Sequence, residues 1–405
     1  MNEKIEKYIE EIIPEIIQIR RNFHKFPELS FQEEKTSSFI INYLKDLAFN
    51  PIRVEDYFSV VCDININDKY PYYLLRADID ALPIEEKSGV SFSSENKGIM
   101  HACGHDIHTT ILLALAKIIA KFKDELKCNL TILFQSGEEL SPGGAKQFVE
   151  SNFYQNKKYN AAFALHVSPE INTGKIGIHN GAFMASSDEI YIEIIGKGGH
   201  AAIPDNIINP IKIASEIFLE IDKLNNSINI ASLKSQKSPL ENLGIVSFGS
   251  FIADGATNVV PNIVNLKGTV RAFNENDRKY LHDKICNITT DITQKNGGEC
   301  NIEIRYGYPA IFNDEKICNF VKNVALNILS KENVIEIPHR LTSDDFAFIA
   351  EQIPSCYFRL GCNSNTKLHS DTFNPDENCM LIGIKILTEI LFTSNFKPFT
   401  FITQP

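Results

Sequence analysis

The stretch from residue 101 to residue 120 reads HACGHDIHTTILLALAKIIA. Its first half offers a thiol, Cys103, and an imidazole, His105, with further histidine and aspartate side chains beside them. Its second half is an apolar run that predicts a buried helix, which we expect over about residues 109–121. Thiolate, imidazole and carboxylate groups are the side chains that hold hydrolytic metals in proteins. The stretch therefore predicts a cluster of metal ligands at the mouth of a buried helix.

Apolar runs on both sides of this helix predict buried strands. Residues 72–77 and 128–135 flank the helix, residues 161–167 follow, and CYFRLG lies near the end of the chain. Strands that alternate with helices in this way predict an α/β fold with a mostly parallel sheet and helices on both faces. Upstream, helices are expected over about residues 4–23 and 31–47, with Glu33 and Glu34 in the first turn of the second.

The pattern changes after about residue 180. Strand, helix, two strands, helix and strand follow one another, with helices at about residues 209–224 and 276–294. This βαββαβ order predicts a small open α+β sheet with both helices on one face. A chain of 405 residues is too long for one compact core, and α/β patterning resumes afterwards. We therefore predict a catalytic metal-binding domain of residues 1–180 and 308–405 and an inserted lid and dimerisation domain of residues 181–307.

The composition excludes several classes of protein. The formal net charge of −11 argues against a nucleic-acid partner and against a basic membrane-surface protein. No apolar stretch reaches the roughly 20 residues that span a bilayer, and the acidic N-terminus does not resemble a signal peptide. Nine cysteines without a framework spacing are typical of a reduced protein. We expect a cytoplasmic protein.

Metal-competent side chains follow four of the predicted strands, where the carboxyl ends of parallel strands form a ligand-binding edge. They are Asp78, Asp80, Glu138, Glu139, His166 and His369. Taken singly, a cysteine before a helix is usually an inert hydrophobe and a strand-end histidine usually structural. Taken together, one set supplies five ligands of the right type at one sheet edge: Cys103, His105, Glu139, His166 and His369. Neither His101 nor His108 is expected to be a ligand.

Five ligands are too many for one tetrahedral zinc with an open position. They suit two divalent ions about 3.5–4 Å apart if one ligand is shared, and the Cys103 thiolate has lone pairs for two cations. In a turn beyond a strand end, Glu138 and Glu139 can approach one centre from different directions. One carboxylate can then bind a metal while the other takes a proton from the attacking water and passes it to a leaving amine.

Several motifs of the chain resemble the di-metal amidohydrolases and exopeptidases that include carboxypeptidase G and aminoacylase. The resemblance is strongest to the branch of hippurate hydrolase, indole-acetyl-amino-acid hydrolase and N-acyl-L-amino acid amidohydrolase. The matching motifs occur in the order of the family and extend from residue 20 to residue 373. The motifs are RRNFHKFPELSFQE, LLRADIDALPIEE, GIMHACGHDIHTT, LFQSGEE, ALHV, GKGGHAAIP, TNVVPN, GTVRAF, TSDDFAF and LHSDTF.

The resemblance implies a role for each matched residue. Cys103 is implied as the bridging ligand, His105 and His166 as ligands of one metal, and Glu139 and His369 as ligands of the other. Glu138 is implied as the general base, and Asp78 as the aspartate that helps to orient a metal ligand. In the insertion, His200 is implied to polarise the scissile carbonyl, and Asn258 and Arg271 to hold the substrate carboxylate.

These observations favour an enzyme that hydrolyses the amide bond of N-acyl-L-amino acids with two divalent ions of zinc, manganese, cobalt or nickel. The expected partners are a small N-acyl amino acid and a second copy of the chain, in a homodimer or a higher oligomer. Two alternatives keep the same fold: an N-acetyl-diaminopimelate deacetylase, and a dipeptidase or aminopeptidase. A more remote alternative is a metal-binding protein without catalytic activity, although both the base and the lid histidine are present.

Overall fold

The computed structural model describes residues 2–55, 57–234 and 244–393. Residues 394–405 of the predicted catalytic domain and residues 235–243 of the predicted insertion lie outside the described residues. The strands are β1 (Ile52–Arg53), β2 (Val60–Ile64), β3 (Tyr72–Asp78), β4 (Asn129–Gln135), β5 (Ala161–Ser168), β6 (Ile176–Ile178), β7 (Gly181–Met184), β8 (Asp188–Ile195), β9 (Gly199–His200), β10 (Gly244–Ile252), β11 (Val259–Val260), β12 (Ile263–Ala272), β13 (Glu299–Tyr306), β14 (Ile311–Asn313), β15 (Val334–Glu336) and β16 (Ser355–Gly361). The α-helices are α1 (Glu3–Lys25), α2 (Glu34–Asp46), α3 (His105–Phe122), α4 (Gly144–Glu150), α5 (Asn152–Gln155), α6 (Pro210–Lys234), α7 (Glu275–Lys295), α8 (Glu315–Leu326), α9 (Ala347–Ala350) and α10 (Cys379–Phe392).

The described chain forms two compact units. The first comprises Met1–Gly181, Phe312–Pro338 and Asp345–Pro405, and the second comprises Ala182–Ile311 and His339–Asp344. The catalytic and lid roles expected of these two parts of the chain stay predictions. Within the described residues, no helix combines the length and the apolar character needed to cross a membrane.

The first unit is built on an eight-stranded sheet with the order β1-β2-β4-β3-β5-β16-β6-β15. Its centre is parallel, because β3 pairs in parallel with β4 and β5, and β5 pairs in parallel with β16. All residues of β4, β5 and β16 are buried, as expected for strands covered on both faces. Alternate β4 residues such as Ile132 and Phe134 join the core formed with α1, α3 and α10. The predicted α/β sheet is confirmed.

The second unit contains a four-stranded antiparallel sheet with the order β10-β12-β8-β13. Buried and partly exposed residues alternate along β8, so one face of the sheet supplies Ile190, Ile192 and Ile194 to the core. Helix α6 adds Ile217 and α7 adds Leu281 to this same cluster. The predicted βαββαβ order is confirmed. Helix α6 extends ten residues beyond its expected end at residue 224.

A buried ion pair joins α1 to the start of α3. Nε of Arg20 lies 2.9 Å from Oδ2 of Asp106, and neither side chain is exposed. The same carboxylate oxygen lies 2.7 Å from Nδ1 of His24, also in α1. The next residue, Arg21, pairs with Glu377 but is 37% exposed. Neighbouring arginines on one helix therefore form ion pairs at very different depths.

Replacing Arg20 with methionine is expected to destabilise the protein by about 3 kcal/mol, because the Asp106 carboxylate keeps its burial and loses its main counter-charge. The Arg21→Met variant is the matched control and is expected to lose less than about 1 kcal/mol. Urea denaturation at pH 7 measures both free energies of unfolding. Equal losses in the two variants would contradict the expected effect of burial.

Candidate active site

The candidate site lies in the first unit, at the carboxyl ends of its parallel strands. Asp78 is the last residue of β3, and Glu138 and Glu139 follow the end of β4. His166 lies near the end of β5, and His369 lies in the loop after β16. Because these strands are parallel neighbours, their ends share one edge of the sheet.

Gly104 places the thiol and the first imidazole at this edge. Helix α3 begins at His105, four residues before its expected start, and Gly104 caps it in a left-handed conformation with φ of 85°. A Cβ on Gly104 would lie 2.5 Å from Cγ2 of Val167, so only glycine fits here without displacement. The start was missed because the cap is a glycine rather than a side chain that accepts a hydrogen bond.

The sulfur of Cys103 lies between two imidazoles. Its Sγ atom is 3.4 Å from Nε2 of His166 and 3.3 Å from Nε2 of His369. Potential ligand atoms of Cys103, His105 and His166 all lie within 4.8 Å of one another, and so do those of Cys103, Glu139 and His369. The five predicted ligands are thus brought together as two groups of three that share one sulfur.

His369 reaches the sulfur from a conformation that is unusual for a residue other than glycine. Its φ is 63°, in the left-handed region. Its backbone N–H donates a 2.8 Å hydrogen bond to the Ala102 carbonyl, which holds this loop beside the cysteine. Such backbone strain is concentrated at functional sites in proteins. The imidazole is 53% exposed, so this side of the cluster is open to solvent.

Two buried imidazoles, those of His105 and His166, are oriented by acceptors that bind their Nδ1–H groups. Nδ1 of His105 donates to the carbonyl oxygen of Asp80 at 3.0 Å, and Nδ1 of His166 donates to the carbonyl oxygen of Val167 at 2.8 Å. A carbonyl only accepts, so the neutral form of each ring carries its proton on Nδ1 and presents the Nε2 lone pair. Nε2 of His105 is buried and has no hydrogen-bond partner among the described residues. This arrangement fits a metal ion.

Asp80 also ties the glutamate turn to this centre. Its Oδ1 lies 3.1 Å from Nδ1 of His105, and its Oδ2 accepts the backbone N–H of Glu139 at 2.9 Å. The hydroxyl of Ser30 donates to the same Oδ2 at 2.7 Å. One carboxylate therefore orients a candidate ligand and fixes the backbone of another. Sequence reasoning placed Asp80 at the strand end but gave it no role.

Asp78 contacts a different histidine. Its Oδ1 accepts a hydrogen bond from Nδ1 of His108 at 2.6 Å, and its Oδ2 accepts one from Arg76 at 2.6 Å. Oδ2 lies 3.7 Å from Nε2 of His105. Nε2 of His108 accepts the Val167 N–H at 3.0 Å, so both of its ring nitrogens are engaged. The role expected of Asp78 in orienting a ligand stays a prediction.

The electrostatics of the cluster favour a bound cation. Burial alone would lower the pKa of His105, but Asp78, Asp80 and Glu139 outweigh it and raise this pKa to about 10. Burial, reinforced by Glu139 and Glu138, raises the pKa of the Cys103 thiol well above its ordinary range. The buried carboxylates thus create a negative potential that holds protons on both groups. A divalent cation would supply the missing positive charge.

Removal of divalent cations with a chelator is expected to lower the melting temperature, because the clustered carboxylates then repel one another without a counter-ion. A ligand present at 100 times its dissociation constant adds about 2.7 kcal/mol per site. Differential scanning calorimetry should show a fall of several degrees, and added Mn²⁺ or Zn²⁺ should reverse it. An identical melting temperature in all three states would contradict cation binding.

The remaining predicted residues lie in the second unit. His200 is exposed and pairs with Val259 across β9 and β11, and its neighbour Ala201 donates its N–H to the Asn258 carbonyl at 2.9 Å. Nδ1 of His200 accepts the Ala202 N–H at 3.1 Å, which leaves Nε2 to carry the ring proton of the neutral imidazole. This pairing brings His200 close to Asn258 within the second unit.

Arg271, at the end of β12, donates from Nη1 to Oγ of Ser343 at 3.0 Å. Burial lowers its pKa from the usual value, with Asp188 opposing the shift. The guanidinium is therefore held in place by a neutral partner, and its charge is available to an anion. The substrate-binding roles of Arg271, Asn258 and His200 stay predictions.

Comparisons with known proteins show the family to which the chain belongs. The profile of the Peptidase family M20/M25/M40 matches residues 74–393. An N-acetyldiaminopimelate deacetylase of Lactobacillus acidophilus is 33% identical over 388 residues, which cover 93% of this chain and 97% of the relative. An N-acyl-L-amino acid amidohydrolase of Geobacillus stearothermophilus is 35% identical over 311 residues, which cover 77% of this chain and 81% of the relative.

A solved structure shares the fold. The Bacillus subtilis YXEP protein, a dinuclear metal binding peptidase from the M20 family, superimposes with a TM-score of 0.81 at 28% identity. The alignment covers 94% of this chain and 98% of that one. The chain therefore belongs to peptidase family M20/M25/M40 and is a metallo-amidohydrolase.

Proposed function

We propose that the protein hydrolyses the amide bond of N-acyl-L-amino acids and releases a carboxylic acid and a free amino acid. The observation that carries the proposal is the pair of three-residue groups that share the Cys103 sulfur, with the Glu138 carboxylate beside them. The similarity to an N-acyl-L-amino acid amidohydrolase supports this class of substrate.

Five residues would hold two divalent ions of zinc, manganese, cobalt or nickel. They are Cys103, shared by both ions, His105 and His166 for one ion, and Glu139 and His369 for the other. When bound, such ions act as Lewis acids that polarise a carbonyl and acidify water. The buried imidazoles and the shared thiolate would keep the two sites adjacent, and the exposed His369 imidazole would leave that side of the cluster open to solvent.

Glu138 is the proton carrier in this proposal. Its side chain is almost fully buried, and a carboxylate oxygen lies within 4.8 Å of ligand atoms of His105 and Glu139. From this position Glu138 takes a proton from the water that attacks the acyl carbon. It then gives the proton to the nitrogen of the breaking amide bond, which leaves as an amine. The adjacent Glu139 is the carboxylate that binds metal.

The second unit supplies the other groups of the proposal. His200 would donate a hydrogen bond from its Nε2–H group to the carbonyl oxygen as negative charge develops there. Arg271 and Asn258 would hold the carboxylate of the amino acid, and this contact would favour acylated amino acids over simple amides. Asp78, whose Oδ2 lies 3.7 Å from Nε2 of His105, would help to orient this metal ligand. Residues 181–307 would then act as a lid and a dimerisation domain on a catalytic domain of residues 1–180 and 308–405, in a cytoplasmic homo-oligomer.

A second candidate function is the deacetylation of N-acetyl-diaminopimelate, which the similarity to an N-acetyldiaminopimelate deacetylase favours. That substrate belongs to the same chemical class but carries a second charged amino acid group at its far end. A dipeptidase or aminopeptidase would need a carboxylate for a free ammonium in the acyl pocket, and no sequence motif indicates one.

Release of free amine from a panel of acetyl, benzoyl and indole-acetyl amino acids, N-acetyl-diaminopimelate and dipeptides tests the proposal. Each substrate is assayed with Zn²⁺, Mn²⁺, Co²⁺ or Ni²⁺, and again with chelator. The expected result is metal-dependent cleavage of acylated amino acids and little cleavage of free dipeptides. Faster cleavage of dipeptides, or activity that survives the chelator, would contradict the proposal.

A further inference from the structure

The loop between α1 and α2 packs against the turn that carries the glutamate pair. It belongs to the motif RRNFHKFPELSFQE, whose role the proposed function leaves unexplained. Within this loop, Oε1 of Glu33 accepts the backbone N–H of Gly137 at 2.7 Å. The loop is also joined to the end of β3, because Ala81 donates its N–H to the Glu28 carbonyl at 2.8 Å. Gly137 is the residue immediately before Glu138.

Gly137 is held from several directions. Its φ is 66°, and a Cβ at this position would lie 2.3 Å from the Phe31 ring, so the ring rests directly on the backbone. Its carbonyl oxygen accepts the Gly144 N–H at 3.1 Å, while its own N–H is bound by Glu33. A glycine in a left-handed turn has much conformational freedom. Contacts on both its N–H and its carbonyl therefore fix the direction in which the chain leaves toward Glu138.

Glu33 occupies an unfavourable place for a carboxyl group. The residue is fully buried, and its Oε2 has no hydrogen-bond partner in the part of the chain that the structure describes. Burial, reinforced by the charge of Asp80, raises the pKa of Glu33 to about 8. A buried carboxyl group without a counter-charge lowers stability. Backbone groups of Phe31, Glu33 itself and Gly137 offset part of this cost, and of these three only Gly137 belongs to the turn that carries the glutamate pair.

We propose that Glu33 is a positioning residue, which fixes the Glu138 carboxylate for proton transfer by anchoring the peptide N–H of Gly137. This inference rests on the proposed role of Glu138 as the base. Glu33 itself contacts neither substrate nor metal ligand side chain in this role. Its effect reaches the reaction only through the backbone of the turn.

Three substitutions of Glu33 test the inference. Glu33→Gln keeps an acceptor oxygen at the same reach and is expected to retain kcat within about threefold. Glu33→Leu removes the acceptor at similar volume, and Glu33→Asp withdraws it by one methylene. A misplaced catalytic group can cost about 100-fold, so we expect kcat to fall about 10- to 100-fold in both variants with KM and metal content little changed. Glu34→Leu, at the exposed neighbouring residue, is the control and should match wild type.

Amide hydrogen exchange over residues 136–139 gives a readout that does not depend on turnover. Exchange should accelerate in Glu33→Leu and Glu33→Asp and stay slow in Glu33→Gln. If Glu33→Leu folds and keeps kcat within twofold of wild type, the inference is wrong. It is also wrong if kcat falls as far in Glu33→Gln as in Glu33→Asp. If exchange follows this pattern but Glu138→Ala keeps full turnover, the anchor exists and it is the proposed function that fails.

Discussion

The Glu138→Ala variant is expected to turn over N-acyl amino acids about 10³-fold more slowly than wild type, while its two cations stay bound. Glu138 is the carboxylate that we assign to proton transfer, and general acid–base groups contribute about 10² to 10⁴ in rate. The five residues that would bind metal remain in place in this variant. The loss should therefore appear in kcat rather than in KM, as measured by steady-state release of amine.

The adjacent glutamate provides the comparison that makes this result specific. Glu139→Ala removes a proposed ligand, so it should lose bound cation as well as activity, and elemental analysis after dialysis separates the two variants. Glu138→Gln keeps the size of the side chain but cannot accept the proton, and it should be as slow as Glu138→Ala. A Glu138→Ala enzyme with full turnover on every substrate that wild type cleaves would refute the assignment of the base.

Substitution of Cys103 by alanine is expected to abolish activity and to reduce the bound cations from two per chain to one or none. Its sulfur is the only atom that the two three-residue groups have in common within the described residues. Without it, each cation keeps two protein ligands, and the two cations lose the anion that screens their repulsion. Metal content after dialysis and titration calorimetry measure the loss.

Two further variants show whether the effect belongs to the shared ligand. Cys103→Asp replaces the thiolate by a carboxylate, which can also bind two cations, and is expected to recover the metal pair and part of the activity. Cys286→Ala removes a partly buried thiol of α7 in the second unit and should behave as wild type. Full occupancy of both cations in Cys103→Ala would show that the sulfur is not shared.

The sequence predicted much of the site because the signals were local. Apolar runs marked the strands, and parallel strands must present their ends at one edge, so the sequence alone could place Glu139 and His166 near Cys103. The βαββαβ pattern of the insertion was visible for the same reason, since buried positions of β8 alternate with positions that are exposed or partly exposed. In these segments the local pattern and the tertiary fold agree.

The features that were missed depend on contacts between distant parts of the chain. Glu33 was expected in the first turn of α2, where negative charge is favoured, but it precedes the helix and binds Gly137, 104 residues away. Asp78 and Asp80 are equivalent by their spacing, and only the bend of the chain after β3 brings Asp80 to His105. The periodicity of a sequence predicts which residues lie at a strand end. It does not predict which of two neighbouring aspartates there contacts a given atom.

The position of β16 in the central sheet has a consequence for how the protein is made. This strand pairs with β5, although more than 190 residues separate their first residues in sequence. A ribosome must therefore synthesise the residues between β5 and β16 before β5 can pair along its second edge, because only its other neighbour, β3, has been made by then, and the loop bearing His369 emerges later still. Until then one edge of β5, whose residues are all buried in the folded protein, stays unpaired, and such apolar edges favour aggregation during folding. The candidate site therefore gains its His369 side only after β16 has been synthesised.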